Sequence, residues 1–381
     1  MRVGTCKAVS GKIEKGSLTV ATFHEKGLKI PVLIARGEEP GKTIFISAGM
    51  HGDEINGIEV IRHFIEQISP EKLKGTIIFL PILNPWGFKQ KSRFIPFDNK
   101  DLNRCFNKKG RSVSYKIART LMKSVVSKCD FGIDLHDGRT NLLLPHTRIF
   151  KKDKCKYLKE LSHAFGSEII LQREGERGMM AIESFNAYKT PVLTVEVGGA
   201  LVLREEFISQ VLDGLKNILI YSGLLNGILK LPVRQFFLDE RIGYHAPTHG
   251  ILHIEVELGE AVKKGQLIAS IYNPIENQEL KIKSKNPGVV FSLRRDAIIN
   301  KGESILSILH FKLERRRREI IPLQAKMLIN RTKPEEIITR PTIILNNLLS
   351  ILGLSYKIVG ESLKESLKML DEYFKLAKHK H

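Results

Sequence analysis

The apolar positions of the first 230 residues fall into short continuous runs separated by stretches with helical spacing. The runs are "LKIPVLIA" at 28–35, "TIFISAG" at 43–49, "TIIFLPIL" at 76–83, "FGIDLH" at 131–136 and "PVLTVEVG" at 191–198. Helical spacing predicts helices over 54–68, 113–128, 153–165 and 204–221. Runs too apolar to face water, alternating with amphipathic segments, predict a mostly parallel sheet flanked by helices. Near residue 231 the texture changes. Short β-type runs punctuated by Gly and Pro predict a small all-β module over 231–310. After 311 the pattern turns helical and basic, with "RRRR" at 315–318 and an apolar stripe at 363, 367, 370, 374 and 376. Three domains are therefore expected: 1–230, 231–310 and 311–381.

Composition narrows the class. The 381 residues are 42% hydrophobic, enough for a sizeable core. The sequence has no apolar run long enough to span a bilayer and no secretory leader pattern, so the expectation is a cytoplasmic protein without a membrane partner. Four scattered cysteines, Cys6, Cys105, Cys129 and Cys155, form no CxxC pair and read as reduced thiols. A net charge of +20 invites nucleic acid. The excess is spread along the chain instead of gathering in one motif, and nucleic-acid binding is not the expected role.

The chemistry gathers at the ends of the apolar runs. In "AGMHGDEING", His51 and Glu54 stand three apart where a strand gives way to a helix. They suit a catalytic zinc site, which takes two imidazoles and a carboxylate and keeps a place for water. The plain alternative is a polar turn in which Asp53 or Glu54 caps the helix. In "FGIDLHDG", Asp134 and His136 share one face of a strand that otherwise wants burial, which makes His136 the natural third ligand. Glu196 is the single ionisable group in "PVLTVEVGG". Beside a metal it would act as general base and acid; otherwise it is a buried Glu bridged to an Arg. The loop "SRFIPFDNKDLNRCF" supplies Arg93, Asn103 and Arg104, a basic set suited to a carboxylate, packed down by Phe94, Ile95, Phe97, Leu102 and Phe106. His245, His249 and His253 are spaced by four, but Pro247 and Gly250 break any helix that would align them, so no second metal is expected.

With "HGDE", "DLNR", "DLHDG" and "VEVGG" in this order, the chain resembles the succinylglutamate desuccinylase/aspartoacylase family, a branch of the zinc carboxypeptidase-like fold. The resemblance implies one Zn2+ held by His51, Glu54 and His136, with Glu196 activating the zinc-bound water. It implies Asn103 and Arg104 on a substrate carboxylate, Arg93 on the scissile carbonyl, and Asp101 behind a metal-bound imidazole, with Asp134 doing similar work. The 231–310 module resembles the biotinyl/lipoyl-like barrel that follows such catalytic domains, without a carrier lysine. The activity implied is amide hydrolysis of an N-acyl amino acid, a small acidic acyl-amino-acid substrate suiting the clamp. A carboxypeptidase-type peptidase trimming acidic residues is the alternative. The 311–381 extension departs from the family pattern and is expected to serve docking or homo-oligomerisation.

Overall fold

The computed structural model describes residues 1–150, 156–232, 235–238 and 241–310. These form two compact units, divided near residue 231. The expected extension after 311 lies outside the described residues, as does Cys155. The other three cysteines are buried and free.

The first unit is built on a nine-stranded sheet. Its strands are β1 (Lys12–Phe23), β2 (Lys26–Arg36), β3 (Glu39–Ser47), β4 (Lys74–Leu80), β5 (Phe131–Gly138), β6 (His146–Phe150), β7 (Ile169–Arg173), β8 (Val192–Gly199) and β9 (Phe236–Leu238). Their spatial order is β9-β7-β6-β8-β5-β3-β4-β2-β1. The sheet is mixed. Its centre, β4-β3-β5-β8, is parallel. Towards one edge β6 runs antiparallel to β8, and towards the other β2 runs antiparallel to both β4 and β1.

One departure from parallel pairing has a local cause. Strands β1 and β2 pair Phe23 with Lys26, leaving a two-residue loop, His24 and Glu25, both at positive φ (44° and 63°). That is the tight hairpin turn whose twist matches antiparallel strands. Strand β1, "KIEKGSLTVATF", shows no continuous apolar run because much of its length is partly exposed and mixes Lys and Glu with Leu, Val and Ala. Strands β5 and β8 are buried along all eight of their residues, which is why they read as unbroken apolar runs.

Among the described residues, five helices of nine residues or more accompany this sheet: α1 (Asn56–Gln67), α2 (Val113–Ser124), α3 (Lys156–Phe165), α4 (Met180–Tyr188) and α5 (Glu205–Ser222). Four match the helical spacing in the sequence. The fifth, α4, is short, and its start is fixed from elsewhere: the Met180 N–H donates to Asn103 Oδ1 at 2.9 Å. The main core joins β2, β3 and β4 through Ile30, Ile34, Phe45 and Ile78 to α2 through Ile117 and Leu121. Packing is tight where β3 meets β5. A Cβ on Gly132 would lie 2.1 Å from the Phe45 ring.

Residues 241–310 of the second unit are all β among the described residues. One sheet runs β10 (Ile242–His245), β17 (Ser304–Leu309), β15 (Gly288–Arg294), β12 (Ala261–Val262); the other runs β14 (Gln278–Lys283), β13 (Leu267–Asn273), β11 (Gly250–Ile254), β16 (Ile298–Ile299). They enclose a core of their own that includes Val262, Ile268, Ile271, Val290, Ile305 and Ile308.

Candidate metal centre

The turn from β3 into α1 is held in a shape that glycines permit. Gly49 has φ +58°, a left-handed conformation that a side chain would strain. At Gly52 a Cβ would come within 2.1 Å of the Gly87 carbonyl carbon, so the backbone carrying His51 lies flush against the segment at 87–88. His51 and Glu54 are thereby fixed with their side chains 98% and 97% buried. Neither Asp53 nor Glu54 caps α1. The cap arrives from β5, where Asp137 Oδ2 accepts from the Asn56 N–H at 3.0 Å and from its side-chain amide at 3.1 Å.

His136 comes from β5 to meet this turn. One donor atom from each of His51, Glu54 and His136 lies within 4.8 Å of the other two, and all three residues are buried. Glu54 is central: Oε1 is 2.6 Å from His51 Nδ1, and Oε2 is 2.9 Å from His136 Nδ1. The outward nitrogens each meet another carboxylate. His51 Nε2 is 3.0 Å from Asp101 Oδ1, and His136 Nε2 is 2.8 Å from Asp134 Oδ2. Asp134 is itself fixed by a 2.7 Å bond from the Ser47 hydroxyl. Arg93 donates to Glu54 Oε1 at 3.2 Å and, through Nε and Nη2, to Asp101 Oδ2 at 3.2 and 3.0 Å.

Such a cluster behaves as a coupled set of charges. Burial opposes ionisation of Glu54, but the two imidazoles outweigh it and hold this carboxyl well below the usual range. At His51 burial also opposes the charge, yet Glu54 and Asp101 raise the imidazole. His136 is raised further, against its own burial, by Asp134 and Glu54. Asp137 is pushed up to about 7, first by burial and then by the charge of Glu54, against the bonds from Asn56.

The donor set fits a divalent ion. Two imidazoles and one carboxylate are the ligands that catalytic zinc takes, and ligands about 2.1 Å from a tetrahedral ion sit about 3.4 Å apart. Contacts of 2.6 and 2.9 Å need only a small opening to admit one. An imidazole whose second nitrogen faces a carboxylate is the arrangement that fixes metal-binding histidines, and both histidines have it.

The remaining expected residues divide. Glu196 lies on β8 directly beside His136 in register and is 95% buried. Its Oε1 is 2.7 Å from Arg148 Nη1, so the Glu–Arg bridge left open by the sequence is present. Its Oε2 has no hydrogen-bond partner among the described residues. The clamp is less concentrated. Asn103 is buried, with its carbonyl committed to Met180 and its N–H to Asp101. Arg104 turns to Glu176 at 2.8 Å, with 40% of its side chain exposed. Two residues that the sequence did not single out are structural neighbours of the site. Asn56 donates to Asp137, Gly199 O and Val202 O and accepts from the Arg204 N–H, joining α1 to the end of β8. Arg148 comes from β6, a strand whose polar "HTRIF" carries no apolar signal.

Fold and site together define an α/β protein with a two-histidine, one-carboxylate centre at the carboxyl edge of its parallel strands. Residues 40–222 match the succinylglutamate desuccinylase/aspartoacylase catalytic domain, and through that region the chain is similar to this family. Among curated relatives, the N-alpha-acetyl-L-2,4-diaminobutyric acid deacetylase of Halomonas elongata is 28% identical over 298 residues, covering 73% of this chain and 85% of the relative. The aspartoacylase of Danio rerio is 26% identical over 235 residues, 56% of this chain and 73% of the relative. Among solved structures, the product-bound ectoine utilization protein EutE (DoeB) of Ruegeria pomeroyi has the same fold, with a TM-score of 0.70 at 20% identity over 81% of this chain and 99% of that one. The relatives named for an activity are deacylases and amidohydrolases, which supports hydrolysis of an amide bond by this chain.

Proposed function

We propose that the protein is a zinc-dependent deacylase that hydrolyses the amide bond of an N-acyl amino acid. The observation that carries this reading is the convergence of His51, Glu54 and His136 within 4.8 Å, buried, with Glu196 in register beside His136. His51, Glu54 and His136 would hold the ion. When bound, zinc supplies a Lewis acid that polarises the scissile carbonyl and makes water a better nucleophile.

The chain's own groups do the rest. Glu196 takes a proton from the attacking water through Oε2, the oxygen without a partner among the described residues. As the C–N bond breaks, Glu196 returns that proton to the leaving amine, and the carbonyl carbon keeps the water oxygen. Arg93 holds Glu54 and Asp101 in place and sets a fixed positive charge beside the centre. Arg104 takes the substrate carboxylate by exchanging Glu176. That pair is 40% and 65% exposed, and surface pairs are worth about 1 kcal/mol or less, so the exchange is inexpensive.

The experiment is a panel of N-acetyl-2,4-diaminobutyrate, N-acetylaspartate, N-succinylglutamate and peptides ending in acidic residues, offered to zinc-loaded protein. Hydrolysis of one or more acyl amino acids, lost in Glu196→Gln with zinc retained, is the expected result. Turnover of the peptides alone would favour a peptidase, and no hydrolysis by the intact protein would favour a binding role.

A further inference from the structure

Strands β6 and β8 pair antiparallel, with Arg148 opposite Thr194 and His146 opposite Glu196. Directly opposed residues share a sheet face, as do residues two apart, so Arg148, His146 and Glu196 all point to one side. His136, beside Glu196 on the other neighbouring strand, points the same way. Glu196 therefore stands between the candidate metal ligand and a guanidinium.

The contacts around that guanidinium form a chain. Arg148 Nη1 lies 2.7 Å from Glu196 Oε1, and Arg148 Nε donates to His146 Nε2 at 3.1 Å. His146 Nδ1 is 2.8 Å from the Leu144 carbonyl, which makes Nδ1 the protonated nitrogen and leaves Nε2 to accept. His146 is fully buried, so the brace behind Arg148 is fixed by packing as well as by bonding.

Arginine–carboxylate pairs frequently engage both oxygens, because the guanidinium fork matches them. Here the contact uses one, and Oε2 is buried with no hydrogen-bond partner among the described residues. We propose that Arg148, braced by His146, is a positioning residue that anchors Glu196 by Oε1 and keeps Oε2 free to carry the proton. The proposal rests on the reading of Glu196 as general base. It assigns Arg148 no contact with substrate.

The test uses zinc-loaded protein with N-acetyl-2,4-diaminobutyrate and N-acetylaspartate as probes. In Arg148→Ala, kcat should fall about tenfold to a hundredfold with KM and zinc content little changed, since a misplaced base costs turnover and leaves binding alone. Added guanidinium ion should restore part of the loss in Arg148→Ala and none in Arg148→Gln, whose amide fills the gap; Arg148→Lys should fall between wild type and Arg148→Ala. Unchanged kcat, a loss that guanidinium does not repair, or a raised KM with kcat intact would overturn the proposal. A readout that needs no turnover separates its failure from that of the deacylase reading: with 15N-labelled arginine, Glu196→Gln should shift the Arg148 Nε–H signal. An unmoved signal overturns the anchor even if neither probe is a substrate.

Discussion

The two sides of the site are built differently. On the ligand side, every charged group is buried or mostly buried and faces at least one partner: Glu54 between two imidazoles, Asp101 and Asp134 behind them, and Arg93 across Glu54 and Asp101. On the clamp side, Arg104 pairs with Glu176 in a contact that water reaches. The difference teaches where the energy is held. Removing one partner from a buried charge cluster strands the others, whereas an exposed pair exchanges its members at little cost. A closed half suits a permanent resident such as a metal ion, and an open half suits a substrate that comes and goes.

Four changes would sharpen or break that contrast. The largest effect is expected from Glu54→Ala, which removes the group joining both imidazoles. Zinc content should fall to near zero and hydrolysis by about 10⁴-fold or more, read by metal analysis and steady-state rates. Next is Asn56→Ala, which leaves Gly199 and Val202 carbonyls and the Arg204 N–H without a buried partner. Thermal or urea unfolding should show a loss of about 3 kcal/mol. Asp134→Asn should weaken zinc binding about tenfold to a hundredfold, measured by competition with a chelator, because His136 loses the carboxylate behind it. The smallest effect belongs to the open half. Glu176→Ala should change stability by less than about 1 kcal/mol, and KM for a carboxylate-bearing substrate should hold or fall. A large stability loss there would erase the contrast.

What was legible in the sequence follows the same division. Strands β5 and β8 and the last four residues of β3 stand out because both of their faces are covered, and His51, Glu54, His136 and Glu196 stand out because an ionisable group at the end of such a strand needs a reason. Strand β1 was hidden by its exposed Lys and Glu residues, and β6 by its polar sequence. Arg148 could not be found from residue spacing. It reaches Glu196 through antiparallel pairing across 48 positions of chain, and the sequence predicted only that some Arg would be the alternative partner. A cap of α1 from Asp53 or Glu54 was the plain alternative to a metal site; the cap comes instead from Asp137, 81 residues away, while Glu54 is engaged with two imidazoles. Asn103 shows the converse: a residue picked out for a substrate also fixes the start of α4, a contact that local sequence does not announce.

The central claim is that His51, Glu54 and His136 share one ion. It is tested most directly by zinc content after dialysis, in wild type and in His136→Ala, with circular dichroism as the control for folding. The account predicts one zinc per wild-type chain and close to none in a folded His136→Ala. Stoichiometric zinc in the variant, or none in wild type dialysed against zinc, would contradict it.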